Sequence, residues 1–201
     1  MLRQYIPATL SERILAVLIL LTVVALIDWL VKREKATRWR EYSFLVLGGL
    51  VGAVFGVLID QMTYRISPDY FLYAKNLSVH DFDWNVIKLG AQAGMTAGVI
   101  TVGVLMIGNT VFRKEPVLPL RGLIRYVGIS MIASLGAALM LGLVFAFALP
   151  DSVVGSYNEV ITPDKMLRFK AVVGAHYGLY LGGIVATAIC IVLFRRGAPK
   201  S

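Results

Sequence analysis

Residues 66–75 read I-S-P-D-Y-F-L-Y-A-K, and residues 161–170 read I-T-P-D-K-M-L-R-F-K. The shared pattern is I-[ST]-P-D-x-x-L-x-x-K, and each copy lies between two long apolar runs. Ser or Thr caps a helix, Pro suits its first position, and Asp suits the positive end of its dipole. Each copy is therefore expected to start a short helix on the outer rim of a two-helix hairpin. A segment that recurs in the same setting predicts that the hairpin itself was duplicated.

Outward from these copies, apolar runs cover residues 14–31, 43–59, 89–107, 126–149 and 171–194. Each approaches the ~20 residues that cross ~30 Å of hydrocarbon. The chain has 201 residues, of which 58% are hydrophobic and 16% charged. Its mean hydropathy is +0.74. A soluble domain must cover itself with polar surface and rarely reaches such values. The expected fold class is all-α: a polytopic transmembrane helical bundle of five spans, made of two parallel-repeat hairpins and an N-terminal helix. The first run is followed by Lys32, Arg33, Glu34 and Lys35, not by a small-residue cleavage site, so it is read as an uncleaved span. The chain then divides into an N-terminal transmembrane helix with a basic loop (1–42), a first hairpin repeat (43–109) and a second (122–196).

The formal net charge is +8. Lys and Arg gather in short loops beside apolar runs, a pattern of membrane topology and anionic headgroups and not of nucleic acid. Of the 20 Lys and Arg, five fall in 32–41, four in 113–125 and three after residue 194. Placing those segments inside puts the N-terminus outside, the C-terminus in the cytoplasm and both decamer copies outside. The single cysteine, Cys190, can form no internal disulfide and belongs to no metal-binding Cys spacing. No P-loop, G-x-S-x-G or H-E-x-x-H motif occurs, and no cofactor is expected.

Small residues recur with helical spacing. Residues 90–98 and 174–182 both read G-A-x-x-G-x-x-x-G. Gly48, Gly52 and Gly56 in the second run match Ser134, Ala138 and Gly142 in the fourth. Lipid gives helices no hydrophobic drive to associate, so close backbone approach and dispersion must supply it. The second, third and fifth runs are expected to pack along these seams, with the first lying outside the four-helix unit. Packing alone explains the ladders better than a pore lining does.

A few polar residues interrupt the apolar runs. Asp60 and Gln61 end the second run, either as a solvated helix end or as a carboxylate beneath the loop paired with Arg65, Lys75 or Lys170. His176 and Tyr180 share a helix face, and Gln92 and Thr96 hold the matching places in the third run. Together Asp60, Gln61, Gln92, Thr96, His176 and Tyr180 form the candidate ligand pocket, with a structural hydrogen-bond network as the plainer alternative. His80, Asp81 and Asp83 read as a solvated loop, since two histidines make a His-rich metal site impossible. Tyr64, Tyr70, Phe71, Tyr73, Phe82 and Trp84 suit an interfacial aromatic belt, and Asp28 with Trp29 the inner interface. Asn109 with Arg113 and Lys114 could meet phosphate headgroups.

Residues 60–71, D-Q-M-T-Y-R-I-S-P-D-Y-F, resemble the D-Q-x-T-x-x-[IV]-S-P-E-Y-F signature of a group of small, uncharacterised bacterial multi-pass membrane proteins. His176, Tyr180, Gly182 and Gly183 are similar to that group's later H-x-x-x-Y-x-G-G segment. The resemblance covers the last four runs. Asp69 stands where the group more often has Glu. It implies a bacterial inner membrane and no mechanism. Three functions follow from the residues: a small carrier or channel with a polar pocket between the repeats, an accessory or scaffold subunit, or an enzyme on a lipid-like substrate using His176 as base. The expected partners are membrane lipids and either a membrane-protein partner or a second copy of the chain.

Overall fold

The computed structural model describes residues 10–32, 39–111 and 116–197. Five α-helices follow in order: α1 (Leu10–Lys32), α2 (Trp39–Ile66), α3 (Phe82–Thr110), α4 (Leu120–Leu143) and α5 (Pro163–Arg196). A π-helical turn, Tyr70–Ala74, joins α2 to α3, and a second, Val144–Ala148, continues α4. No strand occurs among the described residues. Among the described residues, four helical stretches are long and apolar enough to cross a membrane: Trp39–Ile66, Phe82–Thr110, Leu120–Ala148 and Pro163–Arg196. Large apolar side chains such as Leu50, Leu58, Ile107, Ile132, Leu139 and Ile184 point outward from them. In water that surface would aggregate, whereas in a bilayer it is the face that meets its solvent. The expected basic residues Arg33, Lys35, Arg38, Arg113, Lys114 and Lys200 lie outside the described residues.

The helices form two antiparallel hairpins, α2 with α3 and α4 with α5, held by backbone contact. In the first, Gly48, Gly52 and Gly56 face Gly98, Gly94 and Gly90. A Cβ at Gly52 or Gly56 would collide with the carbonyl oxygen of Gly94 or Gly90, and the reverse substitutions meet the carbonyls of Gly52 and Gly56. In the second, Gly178 lies on Ala137 and Ala138, Gly182 on Ala137 and Ser134, and Gly174 on the Leu141 carbonyl and Phe145. The small residues do what their spacing predicts, letting two backbones touch so that dispersion and Cα–H···O contacts act at close range. α1 rests beside this unit, against α2 and α3.

Contacts between the hairpins are fewer and are concentrated at the two ends. At the decamer end, Tyr70, Phe71, Val86, Ile161, Met166, Phe169 and Val172 form one buried cluster. At the far end, Leu105, Leu123, Tyr126, Cys190 and Phe194 form another. There Gly108 admits Ile191, and Arg195 donates from Nη2 to the Val111 carbonyl. Asn109 is buried and holds the α3–α4 loop, with its Nδ2 donating to the Leu118 carbonyl and its Oδ1 accepting from the Leu118 amide, both at 2.8 Å. That use leaves its side chain facing the protein and not a headgroup.

The decamer copies meet at one end, with Lys165 Nζ 3.3 Å from Asp69 Oδ1 and the Tyr70 and Phe169 rings 6.2 Å apart. Their placement differs from the sequence expectation. The first copy closes α2 at Ile66 and makes the short π turn, which ends before Asn76 at φ 51°. The second copy is the start of α5 itself, because nothing after Lys170 breaks the helix. Pro163 stands in the first turn and Asp164 beside it, as expected. The hydroxyl caps do not form: Thr162 makes no side-chain cap, and Ser67 Oγ is buried without a partner.

The seams set the stability of the hairpins. Gly94→Val should lower the unfolding midpoint of the detergent-purified chain by well over the effect of an ordinary surface change, since overpacking alone costs about 1–3 kcal/mol and here the obstacle is backbone. Gly136→Ala, where nothing lies within 4 Å, should leave the midpoint unchanged or slightly raised. Equal effects at the two positions would refute the seam.

Candidate functional site

Between the hairpins, and between their two end clusters, lies a crevice of about 620 Å³. Its walls come from α2 (Gly48 to Asp60), α3 (Leu89 to Thr101), α4 (Val127 to Ser134) and α5 (His176 to Ile184). Most of the lining is Gly, Ala, Val, Leu, Ile and Phe. Its hydroxyls are largely spent on their own helices. Thr96 Oγ1 donates to the Gln92 carbonyl at 2.8 Å, and Ser134 Oγ to the Ser130 carbonyl at 2.7 Å. Both ends are stopped by buried side chains, Phe71 and Phe169 at one and Leu105 and Leu123 at the other, all fully buried. Sideways it is open: Tyr180 and Ile184 on its wall are 48% and 68% exposed.

The polar end of the crevice is built from two hairpins and the turn above them. Asp60 and Thr63, one helical turn apart on α2, are both buried, as is His176 on α5. Gly90 lets α3 pass against the Asp60 Cβ. Thr63 Oγ1 donates to the Ile59 carbonyl at 2.9 Å and lies 3.4 Å from His176 Nε2. With its only proton so used, Thr63 can serve as an acceptor for the tautomer of His176 that carries its N–H on Nε2. Asp60 Oδ1 is 3.9 Å from the same nitrogen, close enough for charge to act and too far for a hydrogen bond. Tyr70 stacks on the imidazole at 4.6 Å and 23°, and Phe71 meets it edge-on at 6.0 Å. Burial pushes the Tyr70 phenol well above its ordinary range, so that ring acts as a neutral cover. Lys75 places its ammonium 5.4 Å from the Tyr70 centroid.

Of the six residues singled out in the sequence, Asp60, Gln92, Thr96, His176 and Tyr180 line the crevice. Gln61 does not, because consecutive helical residues point about 100° apart, and its Nε2 is buried without a partner. Arg65, Lys75 and Lys170 make no ion pair with Asp60. Lys170, itself buried, pairs with Asp151 at 2.8 Å and donates to the Leu149 carbonyl at 2.8 Å, where it ties down the end of α4. The aromatic belt is also divided. Tyr70 and Phe71 are core, Tyr64 and Phe82 pack on that core, and Tyr73 and Trp84 are exposed. His80 pairs only with Asp81 at 3.2 Å in the open, and no metal-binding group of three ligands occurs among the described residues. Thr63 and Tyr70 were not anticipated as site residues. Thr63 was visible as the i+3 neighbour of Asp60.

Comparison with protein-family models, with curated proteins and with solved structures finds no match.

The pair across the hairpins should be energetically linked. In a double-mutant cycle of Asp60→Asn and His176→Gln, read from unfolding in detergent, the two changes should couple by about 0.5–3 kcal/mol. Strict additivity would show that the 3.9 Å approach carries no energy.

Proposed function

We propose that this is a bacterial inner-membrane protein that holds a small molecule in the crevice between its hairpins, as a carrier. The observation that supports this most is the crevice itself, walled by all four long helices and ending at a buried carboxylate and imidazole. In this reading α1 is a fifth span, the N-terminus lies outside and the decamer end faces away from the cytoplasm. The resemblance to the D-Q-x-T-x-x-[IV]-S-P-[DE]-Y-F group points to the same membrane. A hairpin duplication is supported by the matching seams, in which Ser134, Ala138 and Gly142 take the places of Gly48, Gly52 and Gly56. The loops departed afterwards, since Pro68 precedes Gly90 by 22 residues and Pro163 precedes Gly174 by 11.

The mostly apolar lining modifies the polar pocket expected from sequence. A crevice stopped by aromatic rings at its polar end is better suited to a molecule that arrives through the bilayer. The scaffold alternative is weakened because the glycine seams are consumed inside the hairpins. The enzyme alternative is weakened because the Thr63 hydroxyl beside His176 is spent on the Ile59 carbonyl, and Asp60 stands too far from His176 to orient it by a hydrogen bond.

Native mass spectrometry of the full chain released from nanodiscs tests the reading. The wild type should retain a small-molecule adduct, and Thr96→Trp, which fills the crevice from its wall, should lose it while remaining monodisperse. A wild type with no adduct, or an adduct indifferent to Thr96→Trp, would reject the crevice as a binding site.

A further inference from the structure

Asp60 is 6% exposed, and among the described residues no hydrogen-bond donor reaches its carboxylate. A buried carboxylate without a donor is costly. The nearby cations do not supply one. Lys170 is committed to Asp151 and Leu149 and Lys165 to Asp69, while Lys75, over the Tyr70 ring, acts on Asp60 through its charge alone and donates it no hydrogen bond. Asp60 also lines the crevice, so a bound molecule can reach it.

The position of Asp60 along the helix restricts what that molecule is. It stands eight residues from Gly52, the middle of the seam, or about 12 Å by helical rise. Half of the hydrocarbon core is about 15 Å. The carboxylate therefore lies near the membrane interface, and the apolar crevice runs from it toward the bilayer centre. From Asp60 to Gly48 the glycine-lined floor extends about 18 Å. A molecule with its head at the interface and its chain along this floor keeps the orientation that it already has in a lipid leaflet.

We propose that the crevice takes an amphiphile with a primary ammonium head and a single apolar chain in the groove. The head donates to Asp60, and the chain lies along the glycine floor between the hairpins. This rests on the crevice being a binding site. An ammonium answers the unpaired carboxylate with both a charge and N–H donors. The Tyr180 ring on the wall favours a cation over a neutral or anionic head. A free long-chain amine and an ethanolamine phospholipid both carry this group.

The test uses the full chain in a neutral maltoside detergent, with dodecylamine, dodecanol and dodecanoate as probes matched in chain length. Dodecylamine should raise the unfolding midpoint at concentrations about tenfold or more below those of the other two, the scale of one charge-assisted hydrogen bond. Asp60→Asn should erase this preference, and Thr96→Trp should abolish the response to all three. Should Asp60→Asn fail to fold, Tyr180→Leu should weaken the amine and leave the alcohol unchanged. Loss of dodecylamine binding in nanodiscs of phosphatidylethanolamine, against phosphatidylcholine, would assign the head to the lipid; retained binding in both would assign it to a free amine. Dodecanol or dodecanoate protecting as well as the amine, with Thr96→Trp still abolishing both, would overturn the ammonium assignment and leave the crevice reading in place. No response of the folded wild type to any probe would overturn both.

Discussion

Direct contact between backbones is the constraint on which this molecule depends. Lipid chains are as apolar as leucine, so burying leucine against leucine gains little there. What remains is dispersion, which falls steeply with distance. Gly52 on Gly94 and Gly178 on Ala138 bring helix axes as close as main-chain atoms allow. The result is two stiff rods of two helices each.

Because each hairpin satisfies its helices internally, little small-residue surface is left for joining hairpin to hairpin. That task falls to larger side chains at the ends, Phe71 with Phe169 at one and Leu105 with Leu123 and Phe194 at the other. Bulky contacts hold the rods apart where they are tied, and the space between the ties stays open. The crevice is thus a by-product of two different packing chemistries used in one bundle. Its polar end coincides with the place where α2, α5 and the π turn converge, so that Asp60, His176 and Tyr70 come together from three elements.

The parts legible in the sequence are those with a single physical use. A glycine every fourth residue in an apolar run has no purpose except close approach, and the seams formed in register. The helix class followed from composition and run length for the same reason. The decamers were legible as a likeness, but their roles were not. Whether Lys75 or Lys170 is followed by a break depends on Asn76 turning the chain at positive φ and on Ala171 continuing the helix. Tyr70 shows the same limit. A tyrosine beside a span suits an interface by type, and only the fold shows that its ring covers His176. Lys170 was a candidate partner by proximity in sequence class, yet the free carbonyl at Leu149 claims it.

The π turn that carries Tyr70 belongs to neither rod. Its five residues close on themselves, with the Lys75 amide returning to the Tyr70 carbonyl at 3.1 Å. The ring that covers the imidazole is therefore mounted on a short turn, held by its stacking on His176, by the Lys75 ammonium and by the buried cluster around Phe169. Uncovering the buried nitrogen from the decamer side would therefore also loosen one of the two ties between the hairpins.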